Sequence, residues 1–372
     1  MPDPGTAPAR ATGPAPATGP TAEPAPAEGR ARTAGPGRAT RPAAALAMGR
    51  EAADAVLKPA ARRRLAEAVD LAPTLLTDFT TATARETLAT TELLVTGWGC
   101  PPLDAAALAH APRLRAVAHT AGSVRGHVTQ ECWDRGIEVS SAAAANAAPV
   151  AEYTLAMILL ANKRVLHTAR AYAARRGRRE WLSADPTLGN YRRTVGIVSA
   201  SLVGRRVLAL LRAHELRVLL HDPYVTEAEA AALGATKTEL PGLFAAADTV
   251  SVHTPLLPAT RGLVSRELLA LLRDGGTLVN TARGAVIDQE ALTDEVLAGR
   301  LHAVLDVTEP EVLPAGHPLW ECENVLLTPH LAGSQGNELD RLAESAVREV
   351  HRWAAGEGFA HAVPPEQREL LA

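Results

Sequence analysis

The sequence predicts an α/β fold of two doubly wound parallel sheets, on three observations. Short runs rich in Val, Ile and Leu alternate with stretches of helical composition, the order of parallel βαβ units. Those runs are apolar throughout rather than at every second position, as strands are when helices cover both faces of a sheet. At roughly 150 residues per domain the 372 residues allow two cores, and with 47% hydrophobic but only 3% aromatic residues these cores must be aliphatic.

Residues 1–42 should belong to neither core. From Pro2 to Pro42 the chain uses Pro, Ala, Gly, Thr, Arg, Asp and Glu, with no large apolar side chain to offset the entropy of ordering, so a disordered extension is expected. No apolar stretch of a secretory signal occurs before Leu46; a solvated extension and an Arg-bearing transit peptide both fit the composition. Strands follow at 74–77, 93–96, 114–118 and 137–140, separated by helical segments such as 103–110 and 124–134. A long helix is expected over 147–174, with Val150, Thr154, Met157, Ile158, Leu160 and Ala161 on one broad face. After a connection around 181–190, a second series predicts strands at 194–198, 217–221, 249–253, 277–280, 301–306 and 325–328. A final helix at 337–355 is expected to return to the first unit.

Charge and cysteine usage narrow the function classes. With 38 basic against 41 acidic residues the net charge is -3, which gives no footprint for nucleic acid or an anionic membrane. No run of about 18 apolar residues appears, so no transmembrane helix is expected. Cys100, Cys132 and Cys322 have neither a metal-ligand spacing nor a disulfide pattern, which points to a reducing, cytoplasmic setting and to no metal.

The start of the second series reads strand, tight turn, helix: Thr194-Val195-Gly196-Ile197-Val198-Ser199-Ala200-Ser201-Leu202-Val203-Gly204, with Asp222 closing the next strand 18 residues after Gly204. Turn amides and a helix N-terminus can hold a pyrophosphate there, and a carboxylate can accept from the adenosine ribose. Ser199 and Ser201 replace the first two glycines of the usual fingerprint, so the turn alone fits a dinucleotide site or a merely structural βαβ unit. Pro223 and Tyr224 after Asp222 leave no Arg for a 2′-phosphate, favouring NAD over NADP.

Later strand ends carry His253-Thr254-Pro255-Leu256, then Asn280-Thr281-Ala282-Arg283-Gly284, then Asp306-Val307-Thr308-Glu309-Pro310-Glu311, then Thr328-Pro329-His330-Leu331-Ala332-Gly333. Ligands of open α/β sheets bind beyond the carboxyl ends of the strands, so these groups should converge on one crevice. An Arg fork can hold a carboxylate, a His can pass a proton at neutral pH, and a carboxylate can orient the imidazole and hold its proton.

In this order and spacing, with Thr260 and Asp288, the chain from about 93 to 353 resembles the D-isomer-specific 2-hydroxyacid dehydrogenases, the group of phosphoglycerate and glycerate/hydroxypyruvate dehydrogenases. The resemblance implies NAD-dependent hydride transfer between a 2-oxo acid and a D-2-hydroxy acid. It gives Arg283 to the substrate carboxylate and carbonyl oxygen, His330 to acid-base work, and Glu311 rather than Glu309 to the pairing with His330. It gives Asp306 and Gly333 to the nicotinamide carboxamide, Leu202 and Val203 to the diphosphate, and Asp222 to the ribose; Ser201, Thr254, Thr281, Ala282, Arg283 and His330 complete the cofactor set. Gly122 and Ser123 fall where the family holds the substrate carboxylate, and Trp98 is expected to wall the pocket. Asn146 and Glu152 match the hand-over between domains, as hinge and helix cap, and His253 is expected as a structural anchor. The implied organisation is a Rossmann NAD-binding domain, 146–330, inserted into a flavodoxin-like substrate domain made of 43–145 and 331–372, in a homodimer. No cluster of basic residues in the first domain marks a phosphorylated substrate. A non-catalytic NAD-binding regulator on the same fold is the alternative that Ser199 and Ser201 keep open.

Overall fold

The computed structural model describes residues 41–177 and 187–365. Most of the proposed extension and of the 181–190 connection lies outside the described residues. Within them the chain forms two sheets, all parallel, inside one unit, Ala34–Ala372.

The five-stranded sheet runs in the order β2 (Asp70–Leu76), β1 (Ala43–Ala47), β3 (Leu93–Thr96), β4 (Ala116–His119), β5 (Glu138–Ser141). β1, the second strand of the sheet, Ala-Ala-Ala-Leu-Ala, is not anticipated as a strand, because alanine favours helix and carries no branched side chain. It is a strand because both its ladders are satisfied, by β2 and by β3, and small residues let helices press on both faces. On one face lie α1 (Arg50–Val56), α2 (Pro59–Ala68) and α13 (Leu339–Ala354), whose Leu342, Val347, Val350 and Trp353 join a core with Leu46, Leu93 and Val95. The opposite face holds α3 (Ala82–Thr90), α4 (Ala105–Ala109) and α5 (Gln130–Asp134). The chain's last long helix therefore does return to the first sheet.

The seven-stranded sheet runs β12 (Val325–Leu327), β11 (His302–Leu305), β10 (Thr277–Asn280), β9 (Thr249–Val252), β6 (Thr194–Val198), β7 (Arg217–His221), β8 (Thr236–Lys237). The winding reverses between β6 and β9, and such a switch point opens a crevice at the carboxyl ends of the strands. Its helices are α8 (Leu202–Leu211), α9 (Glu227–Ala232), α10 (Leu240–Ala246), α11 (Arg266–Leu271) and α12 (Gln289–Leu297).

The single helix expected over 147–174 is two, α6 (Ala143–Asn162) and α7 (Val165–Arg175). The break follows from Asn162: its side chain accepts from Thr249 Oγ1 at 2.8 Å and donates to Asn190 Oδ1 at 2.9 Å, its carbonyl accepts from Gly189 N–H, and Arg164 then turns to φ +48°. Although it holds no run of 18 apolar residues, α6 is by length and composition long and apolar enough to cross a bilayer. In the fold its Ala151 and Ile158 pack into the core shared with α8, and Glu152 is exposed.

Candidate active site

The turn at the switch point is residues 199–201. Ser199 sits at φ +79°, which glycine adopts freely and an L residue only at a cost. Its Oγ and the Ala200 N–H both donate to Asp222 Oδ2, at 3.3 and 2.8 Å, tying the turn to the end of β7. Ser201 caps α8, its Oγ accepting from Gly204 N–H at 3.3 Å. A Cβ on Gly204 would come 2.1 Å from the Ser199 carbonyl oxygen, so the helix start is pressed onto the turn and only glycine fits. The Leu202 and Val203 N–H groups precede the first bond of the helix, from Arg205 N–H to Ser201 C=O, and stand at its positive end, so the arrangement fits a dinucleotide diphosphate. Asp222 is buried and also accepts from Tyr224 N–H at 2.8 Å; of its roughly four acceptor positions, one remains for a ribose hydroxyl.

Across the switch point, buried Thr254 reaches Val198 C=O at 3.5 Å. His253 is wholly buried, 3.0 Å from Ser251 Oγ, and burial pushes its ring down to about 3, so it is neutral at physiological pH and anchors the turn from below.

Arg283 is presented by a loop that its own strand braces. Fully buried Asn280 accepts from Ala282 N–H at 3.0 Å and donates to Arg283 C=O at 2.9 Å. A Cβ on Gly284 would lie 2.1 Å from the Thr308 carbonyl carbon, so the Arg283 loop rides directly on the loop after β11. Thr281 is fixed from α6 by Thr154, Oγ1 to Oγ1 at 3.0 Å. Burial lowers the Arg283 pKa, the Glu311 carboxylate opposes this, and the positive charge of Arg125 adds to the lowering.

Asp306, at the end of β11, organises the loop that carries His330. Oδ1 accepts from Thr328 Oγ1 at 2.6 Å and Leu331 N–H at 2.9 Å, and Oδ2 from Ala332 N–H at 3.0 Å. Tyr153 on α6 lies 2.9 Å from Thr328 Oγ1 and extends this chain. His330 adopts φ +51°, held by its N–H bridging the carbonyls of Asp306 and Thr328 at 2.9 and 3.0 Å. Thr308 Oγ1 folds the other loop back on Pro310 and Glu311 C=O, and Glu311 Oε1 lies 2.5 Å from His330 Nδ1. Glu309 is exposed, its backbone bonded to Gln289.

The five-stranded sheet contributes the loop after β4. Beneath it Thr96 Oγ1 lies 2.9 Å from His119 Nδ1 and 3.0 Å from His127 Nε2, the rings 4.5 Å apart. Burial holds His127 at about 4 and His119 well below its usual range; His127 deepens the second shift, and a bond to the Ser123 backbone opposes it. On this base stand Gly122, Ser123 and Arg125. Asn146 was expected to cap α6, yet Ala142 occupies that position. Asn146 instead accepts from Ser334 N–H at 2.9 Å and lines both Gly333 and Gly122, so it joins the loops of the two sheets. Trp98 is half exposed, and its carbonyl accepts from Gly49 N–H at 2.8 Å.

Arg283, Glu311 and His330 thus come together, and the turn at 199–204 lies at the neighbouring switch point. Asn280 and Thr328 stand in the strand-end motifs of the sequence without a role of their own there, and Tyr153 and Arg125 are not singled out by it. Asn280 had a signal, since it heads the same loop as Arg283; Arg125 had only its place two residues after Ser123. Among the described residues no cluster of His, Cys, Asp and Glu could hold a metal ion.

A doubly wound dinucleotide fold with an Arg, a His and a carboxylate on the strand ends beside its switch point defines the class. Residues 155–332 match the model of the D-isomer specific 2-hydroxyacid dehydrogenase NAD binding domain. The chain is 35% identical over 264 residues to a D-3-phosphoglycerate dehydrogenase of Mycobacterium leprae, covering 70% of this chain and 49% of that one. It spans about half the length of those first relatives. A glyoxylate reductase of Korarchaeum cryptofilum is 31% identical over 270 residues, 71% of this chain and 79% of that one. Among solved structures, D-lactate dehydrogenase from Aquifex aeolicus, complexed with NAD and lactic acid, superposes with a TM-score of 0.64 at 25% identity, covering 84% and 96% of the two chains. The chain belongs to the D-isomer specific 2-hydroxyacid dehydrogenase family and carries its NAD-binding domain.

Proposed function

We propose that the protein is an NAD-dependent oxidoreductase interconverting a 2-oxo acid and a D-2-hydroxy acid. The observation that carries this function is the 2.5 Å contact of His330 with Glu311 beside Arg283 at the carboxyl ends of the seven-stranded sheet. Arg283 holds the substrate carboxylate and carbonyl oxygen, with the amides of Gly122 and Ser123. Bound NADH supplies the hydride that the carbonyl carbon receives, and is thereby oxidised to NAD. His330, its Nδ1 committed to Glu311, delivers the proton from Nε2 to the carbonyl oxygen, so the C=O π pair becomes the new O–H bond. Glu311 orients the ring and balances the imidazolium charge. The chain's own contribution is alignment, charge and exclusion of water.

The same proposal gives the diphosphate to Ser201, Leu202 and Val203 and the ribose to Asp222. The nicotinamide carboxamide falls to Asp306 and Gly333, with Thr254, Thr281 and Ala282 around the cofactor and Trp98 at the pocket wall. Substrate binding belongs to 43–145 with 331–372, and cofactor binding to 146–330. The free thiols Cys100, Cys132 and Cys322 suit a cytoplasmic setting. Pairing through α6 and α7, where Val165 and Tyr172 are exposed, makes a homodimer, which a light-scattering mass near the 39.0 kDa of one chain would exclude.

The test is NADH oxidation with a panel of 2-oxo acids, followed by absorbance. Turnover of at least one acid is expected. The strained Ser199 favours one second reading, a regulator that binds NADH without turnover. NADH binding with no turnover across the panel would install it.

A further inference from the structure

Tyr153 is the polar side chain of α6 to which the proposed reaction gives no part. Half-buried, it places its hydroxyl 2.9 Å from Thr328 Oγ1, and Thr328 donates to Asp306 Oδ1 at 2.6 Å. The direction of this chain follows from counting protons. Asp306 is a buried carboxylate that accepts from two backbone N–H groups, so the one hydroxyl proton of Thr328 is committed to it. Thr328 then has only lone pairs to offer, and Tyr153 is the donor. Donors aligned head to tail onto a buried charge strengthen one another. Oδ1 takes Thr328 and Leu331 N–H while Oδ2 takes Ala332 N–H, so the open acceptor position of Asp306 is on Oδ2. The next residue of the helix, Thr154, bonds Thr281 at 3.0 Å. Consecutive residues of α6 thus reach the loops after β12 and β10, and Asp306 stands at the end of β11 between them.

We infer that Tyr153 is a positioning residue: through Thr328 it holds the Asp306 carboxylate in the orientation that receives the nicotinamide carboxamide, and so aligns the ring for hydride transfer. This rests on the oxidoreductase function proposed above, which gives the carboxamide to Asp306. The carboxylate is held on one side by the backbone of Leu331 and Ala332 and on the other by Thr328 alone, and the phenol is what pins Thr328 Oγ1 in its rotamer. The turn at 199–204 is tied to Asp222 instead, so the influence of Tyr153 is confined to the nicotinamide end of the cofactor.

The experiment titrates the wild type, Tyr153→Phe, Thr328→Val, the double variant and Thr328→Ser with two probes. NADH is read by nicotinamide fluorescence, and ADP-ribose, which lacks the nicotinamide, by calorimetry. Tyr153→Phe keeps the ring and removes only the hydroxyl; it should weaken NADH by about threefold to tenfold, the scale of one hydrogen bond, and leave ADP-ribose within about twofold. Thr328→Val should weaken NADH at least as much, Tyr153→Phe added to it should lose nothing further, and Thr328→Ser should match the wild type. With the best 2-oxo acid, kcat of Tyr153→Phe should fall by a similar factor while KM for the acid stays within about twofold. An unchanged NADH affinity in Tyr153→Phe overturns the inference. Equal weakening of NADH and ADP-ribose also overturns it, marking a structural role, as do additive losses in the double variant, which mark another route. A Tyr153-dependent NADH affinity in a protein that turns over no 2-oxo acid overturns the proposed reaction and keeps this inference.

Discussion

At the carboxyl ends of the seven-stranded sheet, buried Asp222, Asn280 and Asp306 each grip backbone N–H groups of the loop they serve, at 2.8 to 3.0 Å. At the same end of the five-stranded sheet, the loop at 120–127 rests on His119, Thr96 and His127, which bond mainly to one another. The first arrangement makes each loop an extension of its strand, as the proposed cofactor and acid-base site requires. The second is a chain of buried rings: the Thr96 hydroxyl can donate to one ring and accept from the other, and burial disfavours the charged form of both. Acid therefore acts on the loop at 120–127 as well as on buried His253 of the other sheet.

The largest effect should come from breaking an anchor of the first kind. Asp306→Ala leaves the Leu331 and Ala332 N–H groups and the Thr328 hydroxyl without their acceptor, which should cost about 3 kcal/mol or more and displace His330. Urea unfolding should show the lower midpoint, and turnover should fall with it.

The second kind is probed by pH. The folded pKa values of His127, His119 and His253 lie below the unfolded value, so the unfolded chain takes up protons first as pH falls. Stability is then fully present above about pH 6.5 and is lost as pH drops toward about 4, at up to about 1.4 kcal/mol per pKa unit for each group. Thermal unfolding across that range should show the decline. Thr96→Val, which removes the hydroxyl both rings share, should lower the midpoint already at neutral pH.

The smallest effect sharpens the contrast within the cofactor turn. Ser199→Gly relieves a φ of +79° worth about 1 kcal/mol, offset in part by the loss of the 3.3 Å bond to Asp222. The net should be a stabilisation below 1 kcal/mol with NADH affinity retained or raised, measured by nicotinamide fluorescence. A large loss of affinity would mean that the serine hydroxyl serves the cofactor.

The two regions also differ in how far the sequence discloses them. Strands of the second sheet such as Thr277–Asn280 are short apolar runs ended by diagnostic polar residues, so their boundaries and the convergence of Arg283, Glu311 and His330 could be read directly. In the first sheet, β1 is alanine and reads as helix, because its strand character comes from neighbours on both sides. β8, two residues long, is too short for any period. The break at Asn162 depends on Thr249 and Asn190, far along the chain, and the Thr96–His119–His127 chain on the pairing of β3 with β4. Arg125 is one arginine among 38 basic residues until the fold brings it to the Leu256 carbonyl.

The central claim is that His330, oriented by Glu311, passes the proton. It is tested most directly by single-turnover reduction of the best 2-oxo acid in His330→Ala, with NADH titration on the same sample to establish that the variant is folded. The rate should fall by roughly 100-fold or more. A rate within a few-fold of the wild type would contradict the assignment.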